Sequence, residues 1–401
     1  MRKLKIFLST LICILILSIC SCQKTGVIDS KKIYIEKIKS EKYPIVTDDI
    51  KYEYLEEAIL RSISYLKKLS SERMFHFGPD KYDTGYLIGS LEYFLSFIKN
   101  RPSNEELNSF IKKNFYIYQS TGNDNSKEML FTGYYEPILE GNFERNDEYK
   151  FPVYACPNDL VTIDLSRFIP EYKGRALIGR CANKKVEPYH DRFQIEYGGA
   201  LENKAEVIAW VKDQIGLFFL QIQGSGKIRL QNGDVFNINY QISNGQPYKS
   251  IGKLLIDNGS IPVSEMSMQK IREYLQYNPD KIKAVLSYNP SYIFFSKNTD
   301  GPFGCLGEKI TSGRSIALDR KIFPDAALAY VETKKPIVND TKEITEWTDF
   351  GRIVLNQDTG GAIKGPGRVD FFWGNGEYSE IAAGHMKHIG KLYFLVSKEK
   401  R

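Results

Sequence analysis

At Met129 the spacing of apolar side chains changes, and that change constrains the fold more than any single motif. Before it, Leu55, Ile59, Ile63, Leu66 and Leu69 recur three and four apart, as do Leu87, Leu91, Phe94 and Ile98. Both patterns predict helices with one apolar face. Ser103 and Glu106, in "SNEELNSFIKKNFYIY", stand at capping-box spacing, where the Ser oxygen takes the free N–H groups at a helix start. From "MLFTGYYEPILEGNFERNDEYKFPVYACP" to about residue 245, short runs of Val, Ile, Tyr and Phe are cut by Gly, Asn, Asp and Pro, which predicts strands. In "KIRLQNGDVFNINY" the pair Asn232-Gly233 predicts a hairpin closed by a two-residue turn at positive φ. A helical interlude over 247–288 follows, then strands from "SYIFFSKNTDGP" to the C-terminus. This order predicts an α+β fold, mainly β, with barrel-type β domains.

The first residues read as an address. "MRKLKIFLSTLICILILSICSC" has a basic start (Arg2, Lys3, Lys5) and an apolar run from Ile6 to Ile19. That run is short for a membrane span and has the dimensions of a signal-peptide core. It ends in Ile19-Cys20-Ser21-Cys22, which resembles a bacterial lipobox. Residues 1–21 are therefore expected to be a lipoprotein signal peptide. Cys22 becomes the lipidated N-terminus, and the polar, Lys-rich stretch through residue 50 a tether. Gln23 in place of Asp after the cysteine points to the outer membrane of a Gram-negative cell, with the protein on its periplasmic face. Loss of Arg2, Lys3 and Lys5 lowers the formal net charge from +6 to +3, too little to argue for nucleic acid. Cys156, Cys181 and Cys305 lie too far apart in sequence to make a disulfide framework.

The chain's 401 residues suffice for two or three domains, and 42 % hydrophobic with 26 % charged residues is a globular balance. The 26 Tyr and 23 Phe suit a sugar or peptide cleft as well as the residue usage of an AT-rich genome.

Chemistry concentrates in "NQDTGGAIKGPGRVDFFWG", residues 356–374. Its Asp-Thr-Gly resembles an aspartic-protease loop, of which two are needed; the chain's other Asp-Thr-Gly, Asp83-Thr84-Gly85, directly precedes the helical pattern that begins at Leu87, so that reading is taken as a homodimer through Asp358. No phosphate-loop or nucleophile-elbow pattern is present, and His385-x-x-His388 lacks a third ligand at metal spacing. The sequence thus points to no metal and no cofactor. What remains is acid catalysis on a polar substrate. Glycosidic cleavage needs a proton delivered to a poor leaving-group oxygen. Asp370 fits that role, because Phe372 shares its face of a strand and an apolar neighbour raises a carboxyl pKa. Asp358, ahead of Thr359-Gly360-Gly361, is expected to accept backbone N–H bonds.

Six ordered segments then carry a resemblance: "FTGYYEPI" (131–138), "FFLQIQGSGKI" (218–228), "PYKSIGKLLIDNG" (247–259), "SYNPSYIFF" (287–295), "SIALDRKIFP" (315–324) and "DTGGAIKGPGRVDFFWG" (358–374). Together they resemble the membrane-bound lytic murein transglycosylase A family, with its C-terminal three-aspartate (3D) domain. The resemblance implies a large double-psi β-barrel domain with N-terminal helices (51–136 and 300–401), an inserted small β-barrel domain (137–299) and a glycan groove between them. It further implies a peptidoglycan lytic exotransglycosylase that cleaves the β-1,4 bond between N-acetylmuramic acid and N-acetylglucosamine without water, leaving 1,6-anhydromuramoyl ends. By position, Asp370 is the catalytic acid/base, supported by Asp358 and Asp319. Thr132, Tyr134, Gln223, Gly224, Ser225, Gly226, Lys364 and Phe372 are the implied substrate-binding residues. The implied partners are glycan strands, the outer membrane through the lipid anchor, and murein synthases or division proteins. Asp358 and Asp370 stand twelve positions apart, one more than the family usually has, with "GPGR" carrying the extra residue. A non-catalytic peptidoglycan-binding lipoprotein is the rival with the same fold.

Overall fold

Three separate stretches of chain supply one sheet in the computed structural model, which describes residues 33–400. The expected leader, Cys22 and the first part of the tether lie outside the described residues. The sheet's order is Ile35–Lys37, Phe115–Ser120, Lys387–Ser397, Leu328–Val338, Ile344–Asp358, Ser315–Ala317, Arg368–Asn375 and Met129–Glu136. Lys387–Ser397 also pairs with Met129–Glu136, Lys387 opposite Thr132, so the last six strands close into a barrel. Two of its pairings are parallel, Ser315–Ala317 with Ile344–Asp358 and Arg368–Asn375 with Met129–Glu136. Parallel neighbours need a crossover connection, and the second of these encloses the whole stretch from Pro137 to Gly367. Phe131, Ile316, Leu355, Val369, Phe371 and Phe394 fill the barrel's core without measurable exposure.

The predicted helical faces pack on that core. Leu55–Lys67 and Thr84–Ile98 bury Leu55, Ile59, Ile63 and Leu66, and Leu87, Leu91, Phe94 and Ile98. Ser103 and Glu106 form the expected capping box at the start of Asn104–Asn114.

Within the enclosed stretch, six more strands run in the order Ile293–Asn298, Val235–Ser243, Ser225–Leu230, Ile138–Asn142, Val207–Val211 and Phe151–Tyr154. A bridge between Ala155 and Phe295 joins the two ends of this order. Its core is Leu139, Val153, Ala209, Ile228, Ile238 and Phe295. The fold is therefore α+β and mainly β, a double-psi barrel carrying a smaller barrel, with a groove between them.

Three expectations need correction. The tether does not reach residue 50: Ile35–Lys37 pairs with Phe115–Ser120, Val46 is buried, and Asp48 and Asp49 are ion-pair partners of the barrel. Arg314 donates from Nη1 to Asp48 Oδ2 at 2.5 Å and from Nη2 to Oδ1 at 2.8 Å, with both side chains essentially inaccessible. Arg352 grips both oxygens of Asp49 at 2.7 Å. The polar composition that suggested a free tether is the composition of these pairs. Second, the run expected to be strands contains helices at Arg192–Tyr197 and Gln214–Gln223. The latter buries every residue from Ile215 to Gln221, so it has no polar face to reveal a helical period. Third, the hairpin at Asn232-Gly233 forms, but the backbone pairs Leu230 with Asp234, so the loop is three residues. Only Gly233 takes a positive φ, 89°, the geometry of a type I turn followed by a glycine bulge.

Removing one member of a buried ion pair strands the other charge. Asp48→Ala is expected to lower unfolding stability by about 3–5 kcal/mol, measured by chemical denaturation. A chain beginning at residue 51 is expected to lose cooperative unfolding that a chain beginning at residue 33 retains.

Candidate active site

Strand alternation decides which side chains meet. Along Arg368–Asn375, Val369, Phe371 and Trp373 enter the barrel core, whereas Phe372 joins Tyr134, Ile310 and Ala317 in a separate small cluster. Asp370 shares Phe372's face. Along Met129–Glu136, Phe131 and Tyr135 enter the core, leaving Thr132 and Tyr134 on the other face. Gly133, between them, has no room for a side chain: a Cβ there would lie 2.7 Å from Trp373 Nε1 and 2.9 Å from Ala383 Cα.

Register completes the site. Asp358 pairs with Ala317, Ala317 with Asp370, and Asp370 with Thr132. The four residues form one row across four adjacent strands. Neighbouring strands lie about 4.8 Å apart, and Ala317 is the residue between the two aspartates in this row.

The two aspartates are held differently. Asp358 accepts backbone N–H groups of Cys305 at 2.9 Å and Thr359 at 2.8 Å on Oδ1, and the Tyr134 hydroxyl at 2.9 Å on Oδ2. Burial pushes its pKa up to about 6, those hydrogen bonds pull downward, and the Asp370 charge adds to the rise. Asp370 accepts from Thr132 Oγ1 at 2.6 Å. Burial raises its pKa above the ordinary carboxylate value, opposed by the Thr132 hydroxyl and the Arg368 charge. Burial and then Asp358 hold Tyr134 far above the usual phenol pKa, so it stays a neutral donor. Burial likewise pushes the neighbouring Cys305 thiol up to about 12, which leaves it no nucleophile.

Asp370, Thr132, Tyr134 and Gln223 line a cleft of about 260 Å³. Its opposite wall comes from the smaller barrel's stretch of chain and includes Arg192, Gln221, Tyr248, Asn289 and Ser291. The Gln223 side-chain oxygen accepts the Tyr135 N–H at 3.1 Å, tying the helix Gln214–Gln223 to the strand that carries Thr132. Other expected residues lie elsewhere. Phe372 is buried beneath Tyr134, with ring centroids 5.0 Å apart, and does not line the cleft. Gly224 caps the helix at φ 84°, and Gly226 makes room for Leu220 and Pro137. Gly224, Ser225 and Gly226 are therefore a helix stop and strand start rather than cleft wall. Lys364 is exposed on the loop beside the cleft. Asp319 is buried and accepts the Gly365 N–H at 2.8 Å and the Lys321 N–H at 3.0 Å, which fixes the 359–367 loop, so the twelve-position separation of Asp358 and Asp370 is accommodated in an anchored turn.

Residues 130–296 match the family model described as the MltA specific insert domain, and residues 314–396 match the 3D domain. The membrane-bound lytic murein transglycosylase A of Escherichia coli K12 is 30 % identical over 281 residues, covering 69 % of this chain and 68 % of that protein. The chain belongs to this lytic murein transglycosylase A family. The Vibrio cholerae member is 27 % identical over 310 residues, covering 74 % of this chain and 75 % of that protein. Crystal structures agree: the Agrobacterium tumefaciens membrane-bound lytic murein transglycosylase superposes with a TM-score of 0.73 at 27 % identity, covering 91 % of this chain and 98 % of that one. A monoclinic form of MltA from Neisseria gonorrhoeae gives 0.67 at 29 %, covering 91 % and 94 %. The homodimeric protease reading has no support in this family, and here Asp358 sits within a single chain's barrel, bonded to Tyr134 and to backbone.

Sequence reasoning missed the far wall. Arg368 was within reach, since it stands two positions before Asp370 on the same strand face, and its Nη2 lies 3.4 Å from Thr132 Oγ1. Arg192 lies outside the six segments, whereas Tyr248, Asn289 and Ser291 fall within 247–259 and 287–295, the signal that could have found them.

Removing a like charge favours the ionised form of its neighbour. Asp370→Asn is therefore expected to lower the Asp358 pKa from about 6, as followed by carboxylate infrared or NMR titration. Because the folded pKa of Asp358 is raised, its contribution to stability is present below its unfolded pKa, near 4, and fades as pH rises through about 6. That loss is expected at lower pH in Asp370→Asn.

Proposed function

We propose that the chain is a peptidoglycan lytic transglycosylase that cleaves the β-1,4 bond between N-acetylmuramic acid and N-acetylglucosamine with Asp370 as its single acid and base. Family membership supports the reaction class. The observation that carries the mechanism is the cleft lining, in which Asp370 is the one carboxylate, alongside Arg192 and Arg368. Hydrolysing glycosidases of either stereochemistry use two carboxylates in the site. One suffices when the nucleophile is the substrate's own hydroxyl, held close to the reacting carbon.

Protonated Asp370, favoured by its burial, gives its proton to the glycosidic oxygen. The C1–O bond breaks and its electron pair leaves with the N-acetylglucosamine O4. The muramoyl O6 then bonds to C1, and its proton passes to the Asp370 carboxylate, restoring the acid and producing the 1,6-anhydro ring. Thr132 holds the Asp370 carboxyl in place. Asp358 is a positioning residue: its bonds fix Tyr134, Thr359 and Cys305 around the cleft. In this reading the large barrel, from its N-terminal helices to residue 136 and from about 300 onward, is the catalytic domain, and residues 137–299 form the opposing wall of a glycan groove. Cys22 is the lipid attachment site that keeps the enzyme at the periplasmic face of the outer membrane. Among the described residues no helix is long and apolar enough to cross a membrane.

Asp370→Asn is expected to lower glycan cleavage by at least ~10²–10⁴-fold while leaving glycan binding intact. Unchanged cleavage would reject Asp370 as the acid, and binding without turnover by the parent protein would favour the non-catalytic rival. Thr132→Val removes a bond that stabilises the Asp370 anion, so the alkaline limb of the pH–rate profile should move to higher pH as kcat falls.

A further inference from the structure

The smaller barrel holds a second cavity of about 230 Å³ that no step of the proposed reaction uses. Phe151, Tyr154, Tyr197 and Tyr292 supply rings to its walls, and Arg145 and Lys150 add positive charge. Glu196 also lines it, but that carboxylate is engaged: Arg192 Nη1 donates to Oε1 at 2.7 Å, and Gln214 Nε2 lies 3.5 Å from Oε2. Neither Arg145 nor Lys150 has a carboxylate partner among the described residues, whereas their neighbours Lys212 and Arg229 are each paired at 3.2 Å, with Glu148 and Glu140. Both cations are exposed at the cavity's rim, where ring contact orients Arg145 and a backbone bond anchors the chain at Lys150. The Arg145 guanidinium lies 5.6 Å from the Trp210 ring centroid, and the Lys150 backbone N–H donates to Val211 O at 3.2 Å. Ring walls with two uncompensated cations suit an anion on an apolar body.

The cavity also adjoins the cleft. Arg192 lines the cleft, its guanidinium lies 5.1 Å from the Tyr292 ring centroid, and it holds Glu196. Tyr292 and Glu196 face the second cavity. Arg192, Tyr292 and Glu196 thus stand between the two spaces. An extended peptide advances about 3.4 Å per residue, so three residues reach roughly 10 Å.

We propose that the second cavity binds the carboxylate-bearing peptide attached to N-acetylmuramic acid while the glycan occupies the cleft, making the enzyme prefer peptide-bearing strands. This inference rests on the transglycosylase reading. The test is calorimetric titration of the full chain in detergent, carrying Asp370→Asn to prevent turnover. The two probes are a naked murein tetrasaccharide and the same tetrasaccharide bearing its L-Ala–γ-D-Glu–diaminopimelate peptides. The peptide-bearing glycan is expected to bind about tenfold tighter, the scale of one charge-assisted hydrogen bond. Arg145→Gln with Lys150→Gln should abolish that gain and leave the naked glycan's affinity unchanged, and Lys150→Glu alone should do the same through charge. Equal binding of the two glycans by the parent, or a gain that survives in these variants, overturns the inference alone. Failure of both glycans to bind overturns the transglycosylase reading beneath it.

Discussion

The parallel pairing of Arg368–Asn375 with Met129–Glu136 is the constraint on which the site depends. It brings Thr132 and Asp370, 238 residues apart in the chain, within 2.6 Å. It also sets Asp370 beside Ala317 and, through it, in line with Asp358. Because successive residues of a strand face opposite sides, a slip of one residue would turn Asp370 into the barrel core and Phe371 out of it. The apolar residues around Asp370 prevent that slip. Val369, Phe371 and Trp373 interlock with Phe131 and Phe350 inside the barrel, and Gly133 admits Trp373 where any side chain would block it. The core thus sets the register, and the register sets the chemistry.

Two carboxylates in one row would ordinarily repel, and here the surroundings separate their duties. Asp358 is saturated by two backbone N–H groups and a phenol, which is the environment of a structural acceptor. Asp370 has a single protein donor and otherwise faces the cleft, and burial raises its pKa, the setting that the proposed general acid requires. Asp319, the third aspartate that the resemblance singled out, acts further away by fixing the loop through Gly365. One of the three lines the cleft, and the other two hold what surrounds it.

Much of this was legible in the sequence, for identifiable reasons. Amphipathic helices announce themselves by period, so Leu55–Lys67 and Thr84–Ile98 were read correctly. Strand alternation correctly placed Phe371 and Phe372 on opposite faces. The illegible parts are those without a local period or those whose partners are remote. Gln214–Gln223 is buried nearly all round and therefore looked like strand. Asp48 and Asp49 looked solvated because their partners, Arg314 and Arg352, lie more than 260 residues away. Phe372 was assigned to the substrate because sequence shows which face a residue occupies but not what covers it, and here Tyr134 does. The far wall of the cleft comes from helices and loops whose residues acquire a role only when the smaller barrel closes.

The central claim is that one carboxylate performs the whole reaction because the nucleophile belongs to the substrate. The most direct test is mass spectrometry of the fragments released from purified peptidoglycan. Muropeptides lighter by one water than the corresponding hydrolysis products, with their reducing ends blocked as anhydro rings, are the predicted result. Fragments that carry the full water and a free reducing end would contradict it, since activating that water calls for a second carboxylate that the cleft lining does not supply.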